Sequence, residues 1–388
     1  MDGPAYDWLP DRHLGVAATL SHVDELIGQV GDLLFDFQTQ PDGIFALKEI
    51  PAGSHSQTVV QRIAPIPRKV PLVVADALVA LRAALEHVLF TEVEFLLGAR
   101  LDEKAAKLIE MPAAHTFEKF EAWKRRRSRD AAPPLQPGSE LVRRIYGLQP
   151  LHRPKDPDLH PLALLVSHTN HAKHRTPAIT AVRLAAMYRD DQVPRSLSDW
   201  PHRSEEPLRR GDVIAETPLG TKVPVTLFPT VGINRPGTNQ WPALMKELAE
   251  IANWVRTQAL PRLITGTDPP EPAFRTRYNI SVGHDDERTA ILAGSTTSAA
   301  EQHTQRLTSA VARIDLVDII ESLDGAPGGA HITAWLESLT DTEVLARQSR
   351  LRASSIQHLD TVRHNLEVLE DLRVEAQTFV SEGRPRQD

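Results

Sequence analysis

The 388-residue chain has no cysteine, so a disulfide scaffold, a thiolate zinc site, an iron–sulfur cluster and a cysteine nucleophile are excluded. It lacks any uninterrupted apolar run of about 18 residues, the length a membrane-spanning helix needs. Its start, Met1 to Pro10, is polar and proline-containing, without the apolar segment of a secretory signal. No membrane partner is expected, and the expected location is cytoplasmic. A strong excess of one charge is missing too, with 44 Lys and Arg against 51 Asp and Glu for a formal net charge of -7. Nothing global draws such a chain to nucleic acid, so that partner would have to be held by a local basic patch. Absent as well are Gly-x4-Gly-Lys, Gly-x-Gly-x-x-Gly after a strand, His-Glu-x-x-His and Gly-x-Ser-x-Gly. NTPase, dinucleotide oxidoreductase, zincin and common hydrolase readings therefore lose their usual support.

What is present is an ordinary globular composition, 41% hydrophobic and 24% charged, in a chain long enough for two domains. From Leu14 to Phe37, Val16, Leu20, Val23, Ile27, Val30, Leu33 and Leu34 recur at three- and four-residue steps and predict an amphipathic helix. Ile44–Leu47 and Val59–Ile63 flank a Pro-Ala-Gly-Ser loop as a hairpin would. A long apolar stretch from Leu72 to Leu97 predicts a central helix. Val213–Ala215 and Val223–Phe228, around Pro218-Leu219-Gly220, predict a second hairpin whose last strand Pro224 confines to an edge. Helix is expected again from Trp241 to Leu260. Prolines and a glycine from Gly266 to Pro272 suggest a boundary, dividing the chain into 1–265 and 266–388. Beyond it Leu359, Val362, Leu366 and Leu369 are spaced like a coiled-coil seam, for which intramolecular packing is placed ahead of dimerisation. The fold class expected is α+β and predominantly helical: long central helices with two small β-hairpins, then a helical C-terminal domain.

The central helix carries polar residues against an apolar background. With Asp76 at zero, Leu78, Leu81, Leu85, Val88, Leu89 and Leu96 lie between about 120° and 220°, and Val79, Phe90, Val93 and Leu97 near 260° to 320°. Most of this helix should therefore be enclosed. Asp76, His87 and Glu94 project within about 20° of one another beside Ala80 and Ala83, while Arg82 and Glu86 form a separate patch. Arg82 and Glu86 also suit an ordinary i,i+4 pair, and His87 a hydrogen bond to a neighbouring helix. The segment Arg82-Ala83-Ala84-Leu85-Glu86-His87 resembles the Arg-x4-6-His signature of the HEPN superfamily, helical proteins that include metal-independent ribonucleases acting as dimers. The resemblance implies His87 as general acid–base, Arg82 as phosphate ligand, and a role as an effector in stress or phage defence. Cleavage by 2′-hydroxyl attack needs such a pair, a group titrating near neutrality and a fixed guanidinium.

Over roughly residues 12 to 264 the chain is also similar to a set of uncharacterised actinobacterial proteins. The motifs concerned are Leu81 to His87, Leu148-Gln149-Pro150 and Ala172-Lys173-His174-Arg175, with Ala172 where the pattern usually carries Asp. This resemblance brings no activity, but it implies that Arg82, His87, Lys173, His174 and Arg175 share one domain.

Lys173, His174 and Arg175 supply three phosphate-compatible donors in sequence, which would join Arg82 and His87 in one cationic pocket, with His174 a third catalytic candidate. Lys124, Arg125, Arg126 and Arg127 open a run that reaches Arg129 and follows Phe117, Phe120 and Trp123. Arginine forks beside aromatic faces can track a phosphate backbone and stack on unpaired bases, although such a run also suits a plain solvated face. RNA is thus the expected partner and metal-independent ribonuclease chemistry the expected function, with no cofactor and no metal. Two alternatives stand beside it: a non-catalytic interaction or scaffold protein, and a metal-dependent enzyme using His168, His171 and His174. A homodimer through the helical segments and a protein partner held by the C-terminal domain are the further partner expectations.

Overall fold

The computed structural model describes residues 6–127, 131–189, 205–221, 225–266, 272–352 and 359–382. Arg129 of the basic run, Pro224 and most of the proline-rich segment after Gly266 lie outside them. The fold is predominantly helical α+β, with two small antiparallel sheets. Among the described residues no helix is long and apolar enough to cross a membrane.

Two long helices, α1 (Leu14–Gln38) and α2 (Lys69–Leu97), pack together at the centre of the first compact unit, Met1–Ala300. Apolar side chains at helical spacing drive this: Leu20, Ile27, Val30 and Leu34 from α1, and Val74, Leu78, Leu81, Leu85, Val88 and Leu89 from α2, are nearly or fully buried. Gly98, at φ +69°, ends α2 in a left-handed turn that a side chain would disfavour. The short helix α3 (Glu103–Ala106) and α4 (Phe117–Arg127) follow, then α5 (Glu140–Gly147) and α6 (Pro161–His174), the last packed on α2. Helix α7 (Leu244–Trp254) runs through a π-helical turn, Val255–Ala259, into α8 (Leu260–Thr265), and α9 (Glu287–Leu292) lies later in the unit.

The expected enclosure of the central helix is only partial. Leu72 is 51% exposed, and Asp76 and His87 are exposed, so one stripe of α2 faces solvent. Apolar residues surround this helix on every side, and their pattern does not mark the face without a neighbour.

Strands β1 (Phe45–Ala52) and β2 (His55–Ile63) form the first hairpin, closed by Gly53 at φ +68°. The runs read as a second hairpin do not pair with each other. Strand β4 (Val213–Pro218) adds to β2, while β5 (Val225–Ile233) pairs with β3 (Thr180–Arg189), a strand the sequence reading missed. Pro218-Leu219-Gly220 ends β4 without folding it onto β5. Val182 and Leu184 of β3, on its inner face, reach the core.

The first unit also continues past residue 265. Tyr6 donates its hydroxyl to the Ala273 carbonyl at 2.8 Å, the Tyr278 N–H donates to Ser21 Oγ at 3.2 Å, and the Ala299 N–H donates to Asp24 Oδ1 at 2.9 Å. These bonds fasten residues 272–300 to α1 and the N-terminal segment, so the division falls after Ala300. The second unit, from Glu301, holds most of α10 (Ala299–Glu321), with α11 (Gly329–Glu337), α12 (Asp341–Gln348) and α13 (Leu359–Glu382). Its core contains Leu316, Ile320, Trp335, Leu336, Val344 and Leu372. The seam expected on α13 is split: Leu359 is 75% and Leu366 57% exposed, Val362 and Leu369 are half-buried, and Val368, Leu372 and Ala376 are the buried residues of this helix.

Candidate functional site

Arg82 leaves α2 toward α6. Its Nη1 donates to Thr169 Oγ1 at 3.0 Å and to Asn170 Oδ1 at 2.8 Å, and its Nε lies 3.6 Å from Glu86 Oε1. Only 13% of the side chain is exposed. The i,i+4 pair is therefore present, and the guanidinium is largely committed to holding α6. Glu86 in turn accepts the Met111 N–H at 3.1 Å; burial pushes its carboxyl above the usual range, against the opposing pull of that bond and of Arg82. His87 lies elsewhere. It is exposed, about 140° around α2 from Arg82 by helix geometry, and has no hydrogen-bond or ion-pair partner among the described residues. The structure does not bring the two side chains to one point.

One helical turn beyond Thr169, α6 ends in Lys173 and His174, followed by Arg175, and all three are exposed. None has a side-chain partner among the described residues. Cations at a helix C-terminus suit the local dipole, so they can stand there without an acid. Arg82 thus meets the turn that leads into the triplet, while His87 does not.

The other two histidines of α6 turn inward. His168 is 4% exposed and its Nε2 lies 3.4 Å from Glu247 Oε1 on α7; Arg235 grips the same carboxylate with Nε at 2.9 Å and Nη2 at 2.7 Å. Burial alone would push the Glu247 carboxyl up, but the bonds from His168 and Arg235 outweigh it and hold it below the usual range. His171 lines a small cavity with Ala75, Leu78, His168 and Ala172. His168 and His171 thus share that cavity while His174 is exposed, and among the described residues no three His, Asp or Glu side chains converge as ligands of a metal ion would.

The basic helix is less free than its composition suggests. Phe120 and Trp123 are 2% and 3% exposed and belong to the core, and Arg127 is buried over the Trp123 ring at 4.4 Å. Arg127 Nε donates to the Leu108 carbonyl at 3.0 Å. Lys124 pairs with Glu121 at 2.6 Å. Arg125 and Arg126 remain exposed, and Phe117, at 54%, is the one aromatic of the three left open.

The sequence reading missed two places. A cleft with about 870 Å³ of open space lies between the 156–159 turn, α6 and the loop after β5; His115, Asp156, Asp158, Ser167, Arg235 and Gln240 line it. His115 Nδ1 pairs there with Asp158. Next to it, burial and the charges of Arg153, His152 and His115 push the His160 imidazole down to about 4, so its Nδ1 stays free to accept the Leu162 N–H at the start of α6. The second place is Glu92, 1% exposed, which gathers Arg12 at 2.8 Å and His13 at 2.7 Å, with Arg144 at 3.7 Å. On the helical wheel Glu92 falls at about 160°, inside the core arc. A lone acid in that arc was the available signal.

Searches against protein families, curated proteins and solved structures give no match.

Proposed function

We propose that the first unit binds RNA through its phosphate chain, with Lys173, His174 and Arg175 as the contact. The observation that carries this reading is the three consecutive exposed donors at the end of α6, none engaged by an acid among the described residues. Short, charge-assisted hydrogen bonds from lysine and arginine are what phosphate oxygens take. Arg82 is a positioning residue in this account, holding the turn that precedes the triplet. Arg125 and Arg126, exposed in the last turn of α4, add contacts.

Strand cleavage in this reading falls to His174. Its imidazole takes the proton of a 2′-hydroxyl as that oxygen attacks phosphorus; a 2′,3′-cyclic phosphate forms as the bond from phosphorus to the 5′-oxygen breaks, and the leaving 5′-oxygen takes its proton from water. Lys173 and Arg175 stabilise the charge that develops on the phosphoryl oxygens. The test is single-stranded RNA binding across a salt series, followed by incubation in the presence of a chelator. Lys173→Ala with Arg175→Ala should weaken binding and flatten the log-affinity against log-salt slope by about 1.4, roughly 0.7 for each lost contact. His174→Ala should abolish any chelator-resistant cleavage. Loss in His87→Ala instead would return the proton transfer to the α2 imidazole, and no binding at low salt would remove the reading.

For the second unit we infer an interaction role. Leu359 and Leu366 on α13 and Ile314 on α10, at 75%, 57% and 64% exposure, leave large apolar side chains in water. Replacing Leu359 and Leu366 with serine should leave the unit folded and reduce co-purification of a partner; an unchanged partner profile would count against it.

A further inference from the structure

The solvent-facing stripe of α2 has an order of charges that the RNA reading does not use. Lys69, Asp76, Ala80, Ala83, His87 and Glu94 lie within an arc of about 60° on the helical wheel. Lys69, Asp76 and His87 are exposed, and Ala80, Ala83 and Glu94 are half-buried. Lys69, Asp76 and His87 have no side-chain partner among the described residues. Glu94 uses Oε1 to accept the Leu101 N–H at 3.1 Å, which leaves its second oxygen outside that bond.

Read along the helix, the stripe runs basic, acidic, small, small, basic, acidic. Read backwards it becomes acidic, basic, small, small, acidic, basic. The two readings oppose unlike charges at every charged position, whereas a parallel copy in register would set like against like. The pairs so formed are Lys69 with Glu94, Asp76 with His87, and Ala80 with Ala83, and each is centred on the same point, between Leu81 and Arg82. A two-fold axis through that point repeats each pair twice, as an isologous interface requires. The small residues fall at the crossing, where two helix axes come closest, and alanine lets them approach.

We propose that this face of α2 is the contact surface for a second copy of the chain, with the two α2 helices antiparallel. Lys69 then meets Glu94 of the other copy, and Asp76 meets its His87. Leu72, 51% exposed at the edge of the stripe, is covered in the same step. Complementary charge sets the register, and burial of the small and apolar side chains supplies the attraction.

The test is sedimentation velocity of the full chain over a concentration series, with circular dichroism confirming that each variant is folded. The wild type should reach a dimer. Lys69→Glu should weaken dimerisation about tenfold or more, since it sets like charges together at two symmetry-related places. Adding Glu94→Lys to Lys69→Glu should restore the dimer, because the exchanged charges again oppose each other across the axis. Asp76→His with His87→Asp should likewise dimerise. Ala83→Arg, at the half-buried middle of the stripe, should give a folded monomer. A wild type that stays monomeric at the highest soluble concentration overturns the proposal. So does a dimer indifferent to Lys69→Glu and Ala83→Arg, or a double exchange that fails to restore what the single change removed. None of these outcomes depends on RNA, so the two proposals stand or fall separately.

Discussion

Arg82 on α2 donates to the Asn170 side-chain carbonyl on α6 at 2.8 Å, three residues before Lys173. With the bond to Thr169, this contact ties the Arg82 motif to the helical turn just before the Ala172–Arg175 motif, some ninety positions away in the chain. It also gives Arg82 a positioning task, because a guanidinium holding Thr169, Asn170 and Glu86 with little exposure has few donors left for a phosphate.

Arg82→Ala should therefore cost stability. Loss of a half-buried charged donor, with the polar groups of Thr169 and Asn170 left behind, predicts about 1–3 kcal/mol. A double-mutant cycle with Asn170→Ala should show coupling of about 1 kcal/mol, measured by urea unfolding. Additive losses would mean that the bond is not formed in solution.

Glu92→Leu should be more damaging, by about 3–5 kcal/mol, since it strands Arg12 and His13 beside an apolar core. Burial raises the Glu92 carboxyl, but the bonds from His13 and Arg12 prevail and keep it below its usual 4.5. A lowered carboxyl contributes stability that is present above 4.5 and lost as pH falls through its value in the folded state. Wild type should lose that contribution on acidification below 4.5, and Glu92→Leu should lose less over the same range. Equal acid sensitivity would contradict this account of the network.

His160 gives a second, higher pH window. Its imidazole is held at about 4 against an ordinary 6.5, so between those values the unfolded chain binds a proton that the folded one refuses. Stability then falls as pH drops from 6.5 towards 4. Protonated Nδ1 could no longer accept the Leu162 N–H that starts α6. His160→Asn keeps a side-chain cap without titrating, and its urea midpoint should change less between pH 7 and pH 5 than that of the wild type. The same drop in both proteins would assign the sensitivity to another group.

Local pattern made much of the fold legible. Leu14–Phe37 and Leu72–Leu97 were readable as helices because their apolar residues recur at helical steps, and the first hairpin because Gly53 sits in a turn between two extended runs. What depended on distant partners was not readable. The proline-rich segment after Gly266 looks like a linker, and only the bonds of Tyr278 and Ala299 to α1 show that the unit goes on. Nothing in Val213–Ala215 tells that its partner is β2. Of the candidate site, the exposure of Lys173, His174 and Arg175 follows from their place at a helix end. The inward turn of Arg82 was hidden, since its partners Thr169 and Asn170 carry no pattern that points back to α2.

RNA affinity of the full chain against salt, with and without Lys173→Ala and Arg175→Ala, tests the central claim most directly. The account predicts binding at low salt that the double change weakens, with a log–log slope flatter by about 1.4. Equal affinity and equal slope in the two proteins would contradict it.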